Sequence, residues 1–341
     1  MYLGSAGHGH TLMAELAHLG ARHPSEVEPG LVVVDAGALV DPCFARQVLA
    51  GATRVSAPHG NDLAAALLDT VSARDLPDSA VVITPEMERR GSHALEEHPL
   101  AAAQANLASV LEAKIVGRRA KHGIAPSGLV LECVLVDAWA AWVSVRATSS
   151  APALLSWPSP FSGGRALGED ARDAPSSAHR KLDEALAWLG AGPGPGDVVL
   201  DLGAAPGGWS WVCLQRGASV IAVDRADLSP DLLKHPLLTH VRADAFKYVP
   251  ERAPTWLLCD VIAEPERSLD VAKRALEKKN LRGLVVTLKL KNPVSLAVLD
   301  AARALCKRTP GFFGRCKNLV ANKLEVTLLL ERAAAISAPT A

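Results

Sequence analysis

The sequence predicts an α/β protein whose C-terminal half is a mostly parallel, doubly wound sheet, and three observations predict it. From residue 197 onward, the apolar runs DVVLDL, SVIAVD, TWLLCDV and GLVVTLKL alternate with longer stretches of helical pattern. Strands that read as nearly continuous apolar runs belong to a parallel sheet covered on both faces, and the helices between them supply the crossovers. The first strand ends in an acid and breaks into GAAPGG. A strand, a Gly-rich turn and a helix start form a general cradle for a nucleotide-like ligand, because the helix N-terminus offers amide donors and the positive end of a dipole.

Taken in order, a helix is expected from Ser177, an N-cap candidate, through AHRKLDEALAWLG, with Gly190 as its stop. Strand 197–202 follows, then the loop and a helix through WSWVCLQRG, strand 219–224, and a strand just before RADAFKY. Strand 255–261, helix 269–279, strand 283–290, helix 295–307 and a final strand LEVTLLLE at 324–331 complete the half. Upstream, residues 151–176 are rich in Pro, Gly and Ser without a sustained period and read as a linker. Before them, LVVVDAG and SAVVIT read as strands, and DLAAALLDTV and AAAQANLASVLEAKIVGRRAK as helices. GLVLECVLVDAWAAWVSVRA reads as a strand pair turning around Asp137. The expected organisation is a small α/β domain at 1–150, the linker 151–176, and the sheet domain 177–335.

At 341 residues the chain is long enough for one or two domains with a substantial core. No apolar run is long enough to span a bilayer, and the opening MYLGSAGHGHTLMAELAHLG lacks a basic segment before a clean hydrophobic stretch. No membrane and a cytoplasmic location are therefore expected. The six cysteines include no CxxC and no histidine at ligand spacing, and Gly-His-Gly-His at 7–10 has no third ligand, so no metal is expected. The net charge of zero conceals an asymmetry. Residues 176–335 carry 23 Lys+Arg against 17 Asp+Glu, and residues 267–323 carry 14 against 3, which points to a polyanionic partner. Arg118, Arg119 and Lys121 read as an RNA contact or as a solvated helix end.

The loop at 203–208 has neither GxGxxG spacing nor a following Lys-Ser/Thr, which disfavours a dinucleotide and a P-loop. Asp224 ends the next strand, where an acid accepts from a ribose diol, and Asp244 lies where an adenine contact would fall. Loop amides facing a carboxylate, an acid for a ribose and an acid for an adenine amine fit S-adenosylmethionine. The cofactor-binding candidates are Asp201, Gly203, Ala204, Pro206, Gly207, Gly208, Trp209, Asp224, Asp244 and Asp260. Trp209 and Trp211 read as packing residues, with Trp209 also able to flank the cofactor.

DLGAAPGGWS, with SSAHRKLDEA, CDV at 259–261, LVVTLKL and NKLEVTLLL, resembles the FtsJ-like ribose 2'-O-methyltransferases. That resemblance implies a Rossmann-like S-adenosylmethionine-dependent domain and a Lys-Asp-Lys-Glu set, matched here by Lys181, Asp260, Lys289 and Glu325. Singly, each has an ordinary structural reading as a helix charge, a helix cap or an exposed strand position; four in order beside the loop are a specific signal. Within that superfamily the sequence is most similar to the RlmM family of 23S rRNA cytidine 2'-O-methyltransferases. This implies a THUMP-like RNA-binding domain at 1–150 and 23S rRNA, naked or in an assembly intermediate, as partner. The implied chemistry makes Lys289 the contact to the 2'-hydroxyl, either as a neutral amine base or as an ammonium. Asp260 and Lys181 would orient it, and Glu325 would hold the lysines. Lys291, two residues on and expected on the same strand face, is its rival. The alternatives are a 2'-O-methyltransferase of tRNA or mRNA, and an inactive RNA-binding relative; few aromatics near the basic stretch disfavour a cap-stacking pocket.

Overall fold

The structure is a computed structural model, and it describes residues 1–35, 37–72, 76–84, 99–148, 158–161 and 171–333. The chain divides into two compact units, one of Met1–Ala151 with Ser156–Gly164 and the other of Pro152–Leu155 with Arg165–Ala341. Much of the expected linker lies outside the described residues.

The first unit contains β1 (Tyr2–Leu3), α1 (Gly9–His18), β2 (Ser25–Glu28), β3 (Leu31–Val33) and β4 (Gln47–Val48). It continues with β5 (Thr53–Ser56), α2 (Gly60–Asp69), β6 (Ser79–Ile83), α3 (Ala101–His122), β7 (Leu129–Asp137) and β8 (Ala140–Ala147). Its strands form two sheets, ordered β2-β3-β1-β4 and β5-β8-β7-β6, in which only β6 and β7 run parallel. Leu63, Leu67, Leu107, Leu111 and Ile115 from α2 and α3 pack with Leu131, Cys133 and Val143 of the second sheet into one core. The strand pair turns where expected, with Trp139 N donating to Asp137 Oδ1 at 2.6 Å. His8 precedes α1 and meets Phe44 edge-on, 5.4 Å between ring centroids. Arg119 donates to the carbonyls of Leu76, Pro77 and Ile124 and pairs with Asp78, so it ties α3 to the approach to β6.

The second unit contains α4 (His179–Leu189), β9 (Val198–Leu202), α5 (Gly208–Gln215), β10 (Ser219–Asp224), β11 (Leu238–Arg242) and β12 (Trp256–Cys259). It ends with α6 (Pro265–Leu276), β13 (Gly283–Lys289), α7 (Leu296–Arg308), β14 (Phe312–Lys317) and β15 (Glu325–Arg332). These form one seven-stranded sheet, β11-β10-β9-β12-β13-β15-β14, with β9 to β13 parallel and β15 antiparallel to both of its neighbours. β9 is buried at every position, as its apolar sequence requires.

Two local expectations are corrected. Ser177 does not cap α4: the helix begins two residues later, Ala178 holds the cap position without a side-chain bond, and the Ser177 carbonyl accepts from Arg180 N. Gly190 does end it, in the left-handed region at φ 68°. The second correction is β14, which no apolar run announced: FFGRCK is an edge strand whose Arg315 and Lys317 are buried.

Candidate active site

Four side chains meet at the C-terminal ends of β12 and β13. Lys289 is the last residue of β13, and the antiparallel register sets it directly opposite Glu325, the first residue of β15. Asp260 follows β12 at once, beside β13, and Lys181 reaches in from the first turn of α4. Lys181 Nζ lies 3.0 Å from Asp260 Oδ2 and 2.6 Å from Glu325 Oε1. Lys289 Nζ lies 2.5 Å from both Asp260 Oδ1 and Glu325 Oε2. The result is a closed ring in which each carboxylate bridges both ammonium groups and each ammonium bridges both carboxylates.

Pairing of this kind compensates buried charge, which is costly when left alone. Lys289 is the most open member, 24% exposed against 8% for Lys181 and Glu325 and 17% for Asp260. An ammonium has three N–H donors. Two on Lys289 are used in the ring, and the third has no acceptor among the described residues and can meet a ligand. Burial by itself would pull Lys289 down, but Asp260 and Glu325 outweigh it and hold the ammonium above the ordinary lysine value. Its neighbours in contact are carboxylates, which favour the ammonium over the neutral amine. The rival Lys291 is corrected. β13 ends at Lys289, so strand alternation does not carry on to Lys291, which is 75% exposed and paired with Glu264.

The loop after β9 stands beside this ring. Gly203 N and Ala204 N both donate to Val223 O, and Ala205 N donates to Asp224 Oδ2 at 3.0 Å, while Pro206 O accepts from Ser229 N. These amides brace the loop, and in the first turn of α5 the Ser210 amide bonds Asp201, so the first-turn amides left for a ligand are those of Gly208 and Trp209, which have no intrahelical acceptor. Gly207 takes φ 114° to enter that turn, and a Cβ on Gly208 would strike Ser176 Oγ and His179 N. Asp201 lies beneath the loop, buried, and accepts from Ser210 Oγ at 2.6 Å. Burial pushes its carboxyl up to about 7 against the opposing Ser210 hydrogen bond, with the charges of Asp260 and Asp224 adding to the rise. Trp209 is buried and its Nε1 donates to Ala178 O at 2.9 Å. It joins α5 to the start of α4, which agrees with the packing reading.

Asp224 accepts from Ala205 N and Ala226 N. Asp244 accepts from Phe246 N, the main cause of its lowered pKa, and pairs with Arg225 at 2.6 Å. Each carboxylate oxygen has two lone pairs, so both acids retain acceptor capacity.

Ser176 Oγ is enclosed, with no hydrogen-bond partner among the described residues, at the position where Gly208 has no side chain. An unspent hydroxyl, a helix start and two acids farther along the strand ends are the donor and acceptor set that S-adenosylmethionine requires. The residues therefore fit it. Ser176 escaped the sequence reading, and its position two residues before the helix expected at 178 was the available signal. Ser210 was missed as well; it lies nine residues after Asp201, on the face of α5 that covers β9.

Of the fourteen cations of residues 267–323, Arg303, Arg315 and Lys317 are buried and Lys289 belongs to the ring. Lys317 sits with its ammonium 4.1 Å over the Trp188 ring. Exposed Arg267, Lys273 and Arg274 line an open groove of about 540 Å³ along α6, together with Phe246, Asp270 and Glu277, and the Arg267 guanidinium stacks 3.9 Å from the Phe246 centroid. Among the described residues, no three His, Cys, Asp or Glu side chains are grouped to hold a metal, and no helix is long and apolar enough to cross a membrane.

A doubly wound sheet with a Gly-rich loop after its central strand and a polar ring at the same strand ends defines an α/β methyltransferase fold. Residues 175–325 match the family model of the FtsJ-like methyltransferases. Among curated proteins, Ribosomal RNA large subunit methyltransferase M of Halorhodospira halophila is 36% identical over 172 residues, 49% of this chain and 50% of that one. The proteins of the same name are 41% identical over 124 residues in Xylella fastidiosa (strain M12), 35% of each chain, and 35% identical over 176 residues in Pseudomonas fluorescens (strain SBW25), 47% and 48% of the two. The chain spans about half or less of the length of these relatives. A putative hemolysin of known structure from Lactococcus lactis is similar at a TM-score of 0.39 and 18% identity, over 48% of this chain and 90% of that one.

Proposed function

We propose that the protein transfers a methyl group from S-adenosylmethionine to the ribose 2'-hydroxyl of a cytidine in 23S rRNA, acting in the cytoplasm. The observation that carries this reading is the closed ring of Lys181, Asp260, Lys289 and Glu325 beside the Gly-rich loop. Bound S-adenosylmethionine supplies a methyl group on a positively charged sulfur, open to in-line attack by an oxygen. Ser176, the first turn of α5, Asp224 and Asp244 would hold it.

The ring's part follows from its charge. The contacting carboxylates favour the ammonium form of Lys289, so the proton of the 2'-hydroxyl passes to solvent water as the oxygen–methyl bond forms and the sulfur–methyl bond breaks. The third N–H of Lys289 bonds the 2'-oxygen, fixes the direction of a lone pair and offsets the negative charge that the oxygen develops. Asp260 and Glu325 hold the ammonium at that point, and Lys181 holds the two carboxylates apart at a fixed spacing. Asp201, neutral or charged, supports the loop from below through Ser210 rather than touching the ligand.

The groove along α6, with its stacked Phe246 and Arg267 and its neighbouring cations, supports a nucleic-acid partner, since bases stack on aromatic and guanidinium planes. The first unit, read as THUMP-like, would help to present the RNA. Radiolabel transfer from S-adenosylmethionine to naked 23S rRNA, followed by nuclease digestion, tests the whole reading. The expected product is 2'-O-methylcytidine. A base-methylated nucleoside, or transfer to tRNA alone, overturns it.

A further inference from the structure

The Glu325 carboxylate is held by more than the two lysines. Between β14 and β15 the chain reads N-L-V-A-N-K-L-E, and both asparagines turn inward. Asn318 donates from Nδ2 to the Glu325 carbonyl at 2.8 Å and to the Lys323 carbonyl at 3.1 Å, which fixes the backbone of the first residue of β15. Asn322 stands four residues on, with its amide between Leu319 N, Thr327 Oγ1 and Glu325. Leu319 N and Thr327 Oγ1 both have a hydrogen to give. Placing the amide oxygen toward them, at 3.2 and 3.0 Å, sets the amide nitrogen 3.3 Å from Glu325 Oε1; the opposite placement gives the nitrogen the Glu325 carbonyl at 3.3 Å and Thr327 Oγ1 at 3.0 Å, but sets it against the Leu319 N–H and the amide oxygen against the Glu325 carboxylate.

That oxygen is also the one paired with Lys181, while Oε2 takes Lys289. The terminal torsion of a glutamate is broad and nearly free. A donor fixed by the turn and aimed at Oε1 removes that freedom, so both oxygens stay matched to their lysines. We propose that Asn322 is a positioning residue for methyl transfer, which sets the plane of the Glu325 carboxylate and through it the direction of the free N–H on Lys289. This rests on the reading of the ring as the transfer site. Without the donor, Glu325 turns about its last torsion and Lys289 loses the alignment of one of its two acceptors.

The substitution N322D isolates the effect. It keeps an oxygen for Leu319 N and Thr327 Oγ1, removes the donor to Oε1, and sets a like charge against Glu325. In the full chain, kcat is expected to fall about tenfold or more, while KM for 23S rRNA and the affinity for S-adenosylmethionine stay within about twofold, the pattern of a contact that acts in the transition state. In ¹⁵N spectra of the unliganded protein, the Nζ resonances of Lys181 and Lys289 are expected to shift or broaden. Unchanged kcat together with unchanged lysine resonances overturns the assignment. If N322D does not fold, N322S, which retains only a short hydroxyl and adds no charge, is measured in its place with the same expected fall. Wild-type protein that transfers no methyl group to rRNA sinks the proposed reaction instead, and the lysine spectra still decide whether Asn322 sets the ring.

Discussion

Replacing Asp201 by Asn removes a carboxyl that the fold keeps at high energetic cost when it is charged. In the folded protein its pKa is about 7, against an ordinary value of 3.8, because β9 and α5 enclose it. The stability it contributes is complete below pH 3.8, where it is protonated folded and unfolded alike, and is lost as pH rises toward 7, since only the unfolded chain releases the proton in that window. Three pH units at about 1.4 kcal/mol each make the loss about 4 kcal/mol by pH 8. Asn has the same shape and can still bond Ser210 Oγ, so D201N is expected to match wild type near pH 4 and to exceed it at pH 8 by up to about 4 kcal/mol. Urea unfolding of both proteins from pH 4 to 8, followed by tryptophan fluorescence, gives the difference directly. Equal slopes against pH would refute the buried-neutral argument, and a variant less stable at pH 8 would mean that Asp201 is held as an anion.

Three further outcomes follow from the site. K289M should lower methyl transfer by about a hundredfold or more, the scale of removing a positioned catalytic group, while K291M stays within about threefold of wild type; comparable losses in both would return Lys291 to the site. S176A should weaken S-adenosylmethionine binding about three- to tenfold by calorimetry, the value of one hydrogen bond, with a Tm no lower than wild type because the hydroxyl has no hydrogen-bond partner among the described residues. Binding to 23S rRNA fragments should weaken steeply with salt, with a log-log slope that becomes shallower by about one for each of Arg267 and Arg274 changed to Ala; a salt-independent affinity would remove the exposed cations from the RNA contact.

The half of the chain with long periodic elements could be read from its letters. The apolar runs that became β9, β10, β12 and β13 differ from the expected ranges by only a few residues, because strands buried on both faces admit little else. Glu325 and Lys289 could be paired with the sheet by their place in LEVTLLLE and TLKLK, but their apposition depends on an antiparallel register that no local pattern encodes. β14 was missed since its Arg315 and Lys317 look like surface charges, although Lys317 packs over Trp188. Lys291 was misplaced because alternation was carried one step past the end of a strand. In the first unit, β1 and β4 are only two residues long, too short for any periodicity to register.

The ring draws one side chain from each of α4, the end of β12, β13 and β15, and β15 lies between β13 and β14. No fragment of the sheet can assemble it, since Glu325 reaches its place only when the last strand has inserted beside β13. Completion of the ring and completion of the fold are thus one cooperative event: a misassembled or partly folded copy keeps its cations but lacks the proposed site of transfer.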